Sequence, residues 1–153
     1  MSENTCLIVY ASMSGNTAEM AEAIAEGIKA AGAAVEIKDI LLANTVELED
    51  YQGILLGAYT WDQGSLPDEF IDFYEEMDTL DLTGKLAAAF GSCDSSYEHR
   101  GAAVDILMGK LQQLGAQIAL DGLKIDLAPN VEEKELCSQF GRQFANMLLA
   151  ECS

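Results

Sequence analysis

Three short polar segments carry most of the residues in this chain that could do chemistry. Ser12-Met13-Ser14-Gly15-Asn16-Thr17 gathers three hydroxyls and an amide around one glycine. Hydroxyls and amides donate to phosphate oxygens, and glycine lets backbone N–H groups come close to a ligand. An amphipathic stretch follows directly, so the segment sits at a helix N-terminus, where the dipole favours an anion. Neither G-x-x-x-x-G-K-[ST] nor G-x-G-x-x-G is present, and no Lys or Arg precedes Lys29. A phosphate bound here is held by dipoles alone. Hydrolysis of a nucleoside triphosphate, which needs a cation on the terminal phosphates, is therefore disfavoured. A plain helix N-cap is the alternative, since Ser, Thr and Asn favour that position.

Tyr59-Thr60-Trp61-Asp62-Gln63-Gly64 contains the only tryptophan, and Ser92-Cys93-Asp94-Ser95-Ser96-Tyr97 ends on a tyrosine. Two aromatic faces on opposite sides of a flat ligand make offset stacks. Either ring alone could equally be peripheral core. Catalytic and metal-ligating sets are not recognisable. His99 is the only histidine and has no evident nucleophile to serve, and six residues rather than five separate Cys93 from Arg100. Cys6, Cys93, Cys137 and Cys152 are far apart without a C-x-x-C pair. That is neither a disulfide framework nor a zinc pattern, and a reducing cytoplasm is the simplest compartment.

The elements that must position these segments alternate along the chain. Thr5–Tyr10 is an apolar, β-branched run that reads as a buried strand, and Thr17–Ala31 carries apolar residues at helical spacing with Gly32 as its stop. Val35–Ile40 alternates, as a half-buried or edge strand does. Gly53–Ala58 and Leu86–Phe90 are continuous apolar runs, hence central strands. Helices are predicted over Leu66–Met77, Gly101–Leu114 and Val131–Ala150, the last with Leu136, Phe140, Phe144 and Leu148 inward. Ala116–Leu127 is the final strand, interrupted near Asp121 and Gly122. Strand and helix alternate five times, which predicts a doubly wound parallel sheet with helices on both faces. No linker or repeat divides the 153 residues, so one domain over 1–153 is expected. In such a sheet, ligands bind outside the carboxyl ends of the strands. The three polar segments follow the strands ending at Tyr10, Ala58 and Phe90.

The formal net charge is -18, from 26 Asp and Glu against 8 Lys and Arg. Nucleic acid and anionic membranes are thereby excluded as partners. Half the residues are apolar, which argues against disorder. No signal peptide or membrane span is legible. Charge is also uneven: twelve Asp and Glu lie from Asp39 to Asp81, with no Lys or Arg between Lys38 and Lys85.

Taken together, the segments make the whole chain resemble a flavodoxin of the short-chain type. S-M-S-G-N-T matches the family's phosphate loop at Ser12, Ser14, Gly15, Asn16 and Thr17, while Thr60-Trp61 and Asp94-Ser95-Ser96-Tyr97 resemble the starts of its two flavin loops. The resemblance implies strand order 2-1-3-4-5 and one non-covalent FMN. Its phosphate would lie in the first segment and its ring between Trp61 and Tyr97, with Met13, Tyr59, Asp62, Gln63, Gly64, Ser92, Cys93 and Asp94 completing the site. It implies a low-potential one-electron carrier, not an enzyme, that serves basic reductases and oxidoreductases by transient docking as a monomer. The chain is too short for the insertion in the fifth strand that marks long-chain members. A quinone reductase on the same fold is the other reading. It needs a second substrate pocket, for which the chain has little spare length. A receiver-type signalling domain lacks its acidic cluster at the strand ends, where Ser12, Thr60 and Ser92 stand instead.

Two positions depart from the family's usual glycines: Asp62 after the tryptophan, and Cys93. Aspartate tolerates positive φ at a cost of about 1 kcal/mol, so Asp62 is expected to weaken stabilisation of the half-reduced flavin. Cys93 is expected to pack close to the ring edge. At roughly 10 Å and an effective dielectric near 60, each carboxylate opposes a further negative charge on the flavin by about 0.5 kcal/mol. For a one-electron couple that is on the order of 20 mV per charge.

Overall fold

In a computed structural model, the described residues are 5–11, 15–59, 68–93, 102–120, 122–126 and 130–152. Mostly apolar runs form the strands β1 (Thr5–Ala11), β3 (Gly53–Ala58) and β4 (Leu86–Cys93), and an alternating run forms β2 (Ala34–Asp39). Two further short strands, β5 (Gln117–Ile118) and β6 (Leu123–Asp126), both pair with β4. The sheet is parallel throughout, in the order β2-β1-β3-β4-β5. Order and direction are as expected, with β2 at one edge and the final strand broken.

The register locates the break. Ala87 pairs with Ile118 and Phe90 with Leu123, so five residue steps on the last strand face three on β4. The last strand therefore has two more residues than β4 between these pairs. A Cβ on Gly122 would lie 2.5 Å from Val104 Cγ1 and 2.9 Å from Met108 Sδ. Only four residues, 119–122, join the two pieces.

Helices cover both faces. On one, α1 (Asn16–Ala30) and α4 (Val131–Cys152) pack with Cys6, Ile8, Leu55, Ala88 and Phe90 of the sheet. On the other, α2 (Asp68–Glu76) and α3 (Ala102–Gln113) pack with Leu7, Val9, Ile54, Leu56, Ala87 and Ala89. Alternate residues of each central strand thus feed opposite cores. The α1 and α3 stops follow from glycine. Gly32 and Gly115 both have φ 101°. In each case the glycine N–H and the next residue's N–H return to the last turn (Gly32 to Lys29, Ala33 to Ile28; Gly115 to Gln112, Ala116 to Leu111). This double bond pattern is the Schellman closure that a left-handed residue permits.

The predicted inward stripe of α4 needs one correction. Phe140, Phe144 and Leu148 are buried, but Leu136 is 50% exposed and Cys137 takes the inward place. Steps of four overrun a 3.6-residue turn, so a stripe drawn at constant spacing drifts off the core face. The helix predicted over Leu66–Met77 is α2, with a 3₁₀ turn from Met77 to Thr79.

Two glycines set the distance between α1 and α4. A Cβ at Gly27 would lie 1.9 Å from the Ser138 carbonyl oxygen, and one at Gly141 would lie 2.0 Å from that of Ile24. At each contact a glycine on one helix admits the backbone of the other.

Cys137 lies fully buried in this layer. Burial, with the Glu133 carboxylate adding to it, pushes its thiol up to about 11. At pH 8 about a thousandth of it is thiolate, the reactive form. Alkylation with iodoacetamide at pH 8, followed by peptide mass spectrometry, should modify Cys137 at least a hundredfold more slowly in native protein than in urea. Because the folded state holds this proton more tightly, its contribution to stability is complete below the unfolded thiol's pKa, about 9, and fades as pH rises toward 11.

Candidate functional site

The parallel register brings β1, β3 and β4 to one edge. Ala11 pairs with Ala58, and Gly57 with Phe90. β4 continues past Phe90 to Cys93, three residues further than the apolar run predicts, because β6 supplies ladder partners for Gly91, Ser92 and Cys93. Ser92 and Cys93 therefore stand on a strand rather than in a loop, which fixes their backbones.

Two strand glycines leave room for close approach between β3 and β4 at this edge. A Cβ at Gly91 would meet the Ala58 carbonyl oxygen at 2.0 Å, and one at Gly57 would meet the Phe90 ring at 2.3 Å. The sequence reading missed both as site-shaping residues. Glycine inside an otherwise apolar strand was the signal, since it marks close approach of another group.

Helix α1 begins at this edge. Its N-cap, Gly15, has φ 90° and ψ -6° and carries no side-chain cap. A left-handed residue at this position turns the chain sharply from the preceding segment into the helix. Among the described residues, no heavy atom would lie within 4 Å of a Cβ on Gly15. A helix N-terminus with a glycine at its cap favours an anion through its dipole and its unpaired N–H groups.

One contact joins the first and third segments. Thr17 Oγ1 and Ser92 Oγ lie 2.9 Å apart, and both residues are buried. Either hydroxyl can donate, and each keeps capacity for a second bond. The bond reaches from the first turn of α1 to β4 across the end of β3, which lies between β1 and β4 in the sheet. Sequence reasoning placed Thr17 and Ser92 in two separate ligand loops; the fold brings them together. Asn16 opens α1, half-exposed, and Tyr59 is half-buried against the core beneath α2 and α3. Ser12, Met13, Ser14, Thr60, Trp61, Asp62, Gln63, Gly64, Asp94 and Tyr97 lie outside the described residues, as do Ser95, Ser96, His99 and Arg100. Among the described residues no cluster of three or more His, Cys, Asp or Glu could hold a metal ion.

Among the described residues, Lys38 and Lys110 are held in ion pairs. Lys38 at the end of β2 is ion-paired with Glu47, which holds the Glu47 carboxyl below its usual range. Lys110 is buried, paired with Asp78 and seated 4.2 Å from the centre of the Tyr74 ring.

Comparison with known proteins agrees with this arrangement. A protein-family model described as flavodoxin matches residues 8–141. A probable flavodoxin 2 of Bacillus subtilis is 44% identical over 140 residues, covering 91% of this chain and 93% of that protein. The crystal structure of oxidised flavodoxin 1 from Bacillus cereus superposes with a TM-score of 0.90 at 52% identity, covering 93% of this chain and 97% of that one. Flavodoxin 2 from the same organism superposes equally well at 42% identity, covering 94% and 99%.

Proposed function

Since the chain belongs to the flavodoxin family, we propose that it carries single electrons between redox proteins on a non-covalently bound FMN, as one flavodoxin-like unit over 1–153. The observation that carries the reading is the family match across nearly the whole chain. The glycine-capped start of α1 at the carboxyl edge of the sheet supports it. Bound FMN supplies the one-electron chemistry, and the protein supplies binding, orientation and electrostatics.

In this reading Ser12, Met13, Ser14, Gly15, Asn16 and Thr17 hold the phosphate. Tyr59, Thr60, Trp61, Asp62, Gln63, Gly64, Ser92, Cys93, Asp94 and Tyr97 surround the flavin ring. The Thr17–Ser92 bond acts as a brace: it ties the phosphate-binding turn to the strand that leads into the second flavin loop. The first segment itself offers the phosphate dipoles and no cation, since no Lys or Arg precedes Lys29. The carboxylates from Asp39 to Asp81 oppose added negative charge on the cofactor and attract basic partners. A monomer in the cytoplasm, docking transiently with basic reductases and oxidoreductases, completes the reading. Among the described residues no helix is long and apolar enough to cross a membrane. The quinone-reductase alternative is not favoured: the relatives that match this chain along nearly their whole length are flavodoxins.

The deciding experiment is a visible spectrum of the purified protein during FMN titration and stepwise reduction. Stoichiometric FMN uptake with reversible one-electron steps is expected. A colourless protein that rejects FMN overturns the cofactor, and rapid steady-state NADPH oxidation with quinone as acceptor overturns the carrier role.

A further inference from the structure

The connection from β2 to β3 turns its apolar residues in two directions. Ile40 and Leu48 are buried, whereas Leu41 is 78% exposed, Leu42 76% and Val46 64%. Single exposed leucines are ordinary. Three large apolar side chains facing solvent within six residues form a concentrated feature of the kind that marks interaction sites.

Local bonding holds this connection without help from those three side chains. Ile40 N–H donates to Tyr10 O at 2.8 Å and Leu42 N–H to Asp39 O at 2.8 Å. Leu41 N–H donates to Asp39 Oδ1 at 2.9 Å. Asn44 and Glu47 form a reciprocal capping box, with Asn44 N–H donating to Glu47 Oε2 at 2.8 Å. Lys38 anchors Glu47 from β2, and the Tyr51 hydroxyl donates to Glu36 at the far end of the connection. The backbone is thus pinned, and the leucines are presented rather than loosely hung. A surface already fixed in its bound shape loses little entropy on docking.

Position and charge identify the occupant. Asp39 pairs with Tyr10 in the β1–β2 ladder, so the connection leaves the sheet at the same carboxyl edge as the candidate site. The neighbouring cation, Lys38, is neutralised by Glu47, and the following stretch to Asp81 carries twelve carboxylates and no Lys or Arg. A second copy of a chain with net charge -18 would be repelled. We propose that Leu41, Leu42 and Val46 are the apolar contact of a docking surface for a redox protein that presents an apolar patch rimmed by lysines and arginines. Charge steers such an encounter and desolvated apolar anchors hold it. The proposal rests on the electron-carrier reading and adds to it where the partner's apolar contact falls.

The test uses FMN-loaded protein and cytochrome c, a basic haem protein whose exposed haem edge is ringed by lysines. Calorimetric Kd values are measured with both proteins oxidised, at low salt and at about 0.15 M salt, for wild type, Leu41→Ser/Leu42→Ser and the control Leu136→Ser. Leu136 is an exposed leucine on α4, in the opposite helix layer. The double variant is expected to bind about tenfold more weakly, roughly 1.4 kcal/mol, at both salt concentrations. Its melting temperature and FMN affinity should be unchanged, and the control should match wild type. A double variant within twofold of wild type overturns the proposal. So does a wild-type dimer in sedimentation velocity that the double substitution dissociates, because a second copy would then cover the patch. Failure of wild type to take up FMN counts against the carrier reading, and the same Kd comparison on the FMN-free proteins then scores the patch separately.

Discussion

Gly141→Ala is expected to destabilise the protein by about 3 kcal/mol, lowering its melting temperature by roughly 6–12 °C. Two effects of opposite sign compete at this helical glycine. Alanine gains about 1 kcal/mol over glycine inside a helix. Against that, its Cβ would sit 2.0 Å from the Ile24 carbonyl oxygen. A main-chain oxygen cannot rotate aside as a flexible side chain does, so α1 and α4 must separate. Separation opens the layer formed by Ile24, Ile28, Phe144 and Leu148, all fully buried, and close packing makes small gaps costly. Gly27→Ala should behave alike, because its Cβ meets the Ser138 carbonyl at 1.9 Å. Gly109→Ala is the matched control. It lies in α3, is exposed, and has no described heavy atom within 4 Å of where the alanine methyl would stand, so it should stabilise by about 0.5–1 kcal/mol. Thermal denaturation of the three variants checks the contrast. A Gly141→Ala protein as stable as wild type would show that the two helices do not meet backbone to backbone.

A second large effect is expected at the start of α1. Gly15→Asp should weaken FMN binding by more than a hundredfold relative to Gly15→Asn. Both side chains tolerate φ 90° better than other residues do, both are good N-caps, and their sizes match, so the comparison isolates charge. Aspartate would place a carboxylate where the helix dipole otherwise faces the phosphate. At about 6 Å and an effective dielectric near 40, each unit of phosphate charge is opposed by roughly 1.4 kcal/mol. Two units give about 3 kcal/mol, a factor above a hundred. Riboflavin, which lacks the phosphate, should bind the two variants within a fewfold of each other. Fluorescence titration with both ligands makes the measurement. Equal losses for FMN and riboflavin in Gly15→Asp would remove the phosphate from the α1 terminus.

Much of the fold was legible because its rules are local. The switch from continuous apolar runs to helical spacing marked β1, β3, β4, α1, α3 and α4, and alternation of strand and helix implied a parallel sheet. Gly32 signalled the end of α1 because only a residue that tolerates φ near 100° closes that turn. The first polar segment was legible as the turn into a helix for a similar reason: Gly15 takes φ 90° at the start of α1.

What stayed hidden depends on contacts between distant residues. Leu136 and Cys137 are adjacent, and spacing alone chose the wrong one, because the face a helix buries is set by its partner α1. The end of β4 was placed at Phe90 by composition, yet the strand runs to Cys93 because β6 lies beside it. Thr17 and Ser92, 75 positions apart, each looked like an independent ligand residue, and only the folded sheet brings the two hydroxyls together over the end of β3. Gly27 and Gly141 gave no local sign of their role, since a missing side chain acquires meaning only from what approaches it. Composition determined the net charge of -18 and its concentration between Asp39 and Asp81. Tertiary structure decided that an exposed apolar patch opens beside it, on the edge where β1, β3 and β4 end. Charge is a sum over residue types, whereas exposure depends on which side chains the rest of the chain leaves uncovered.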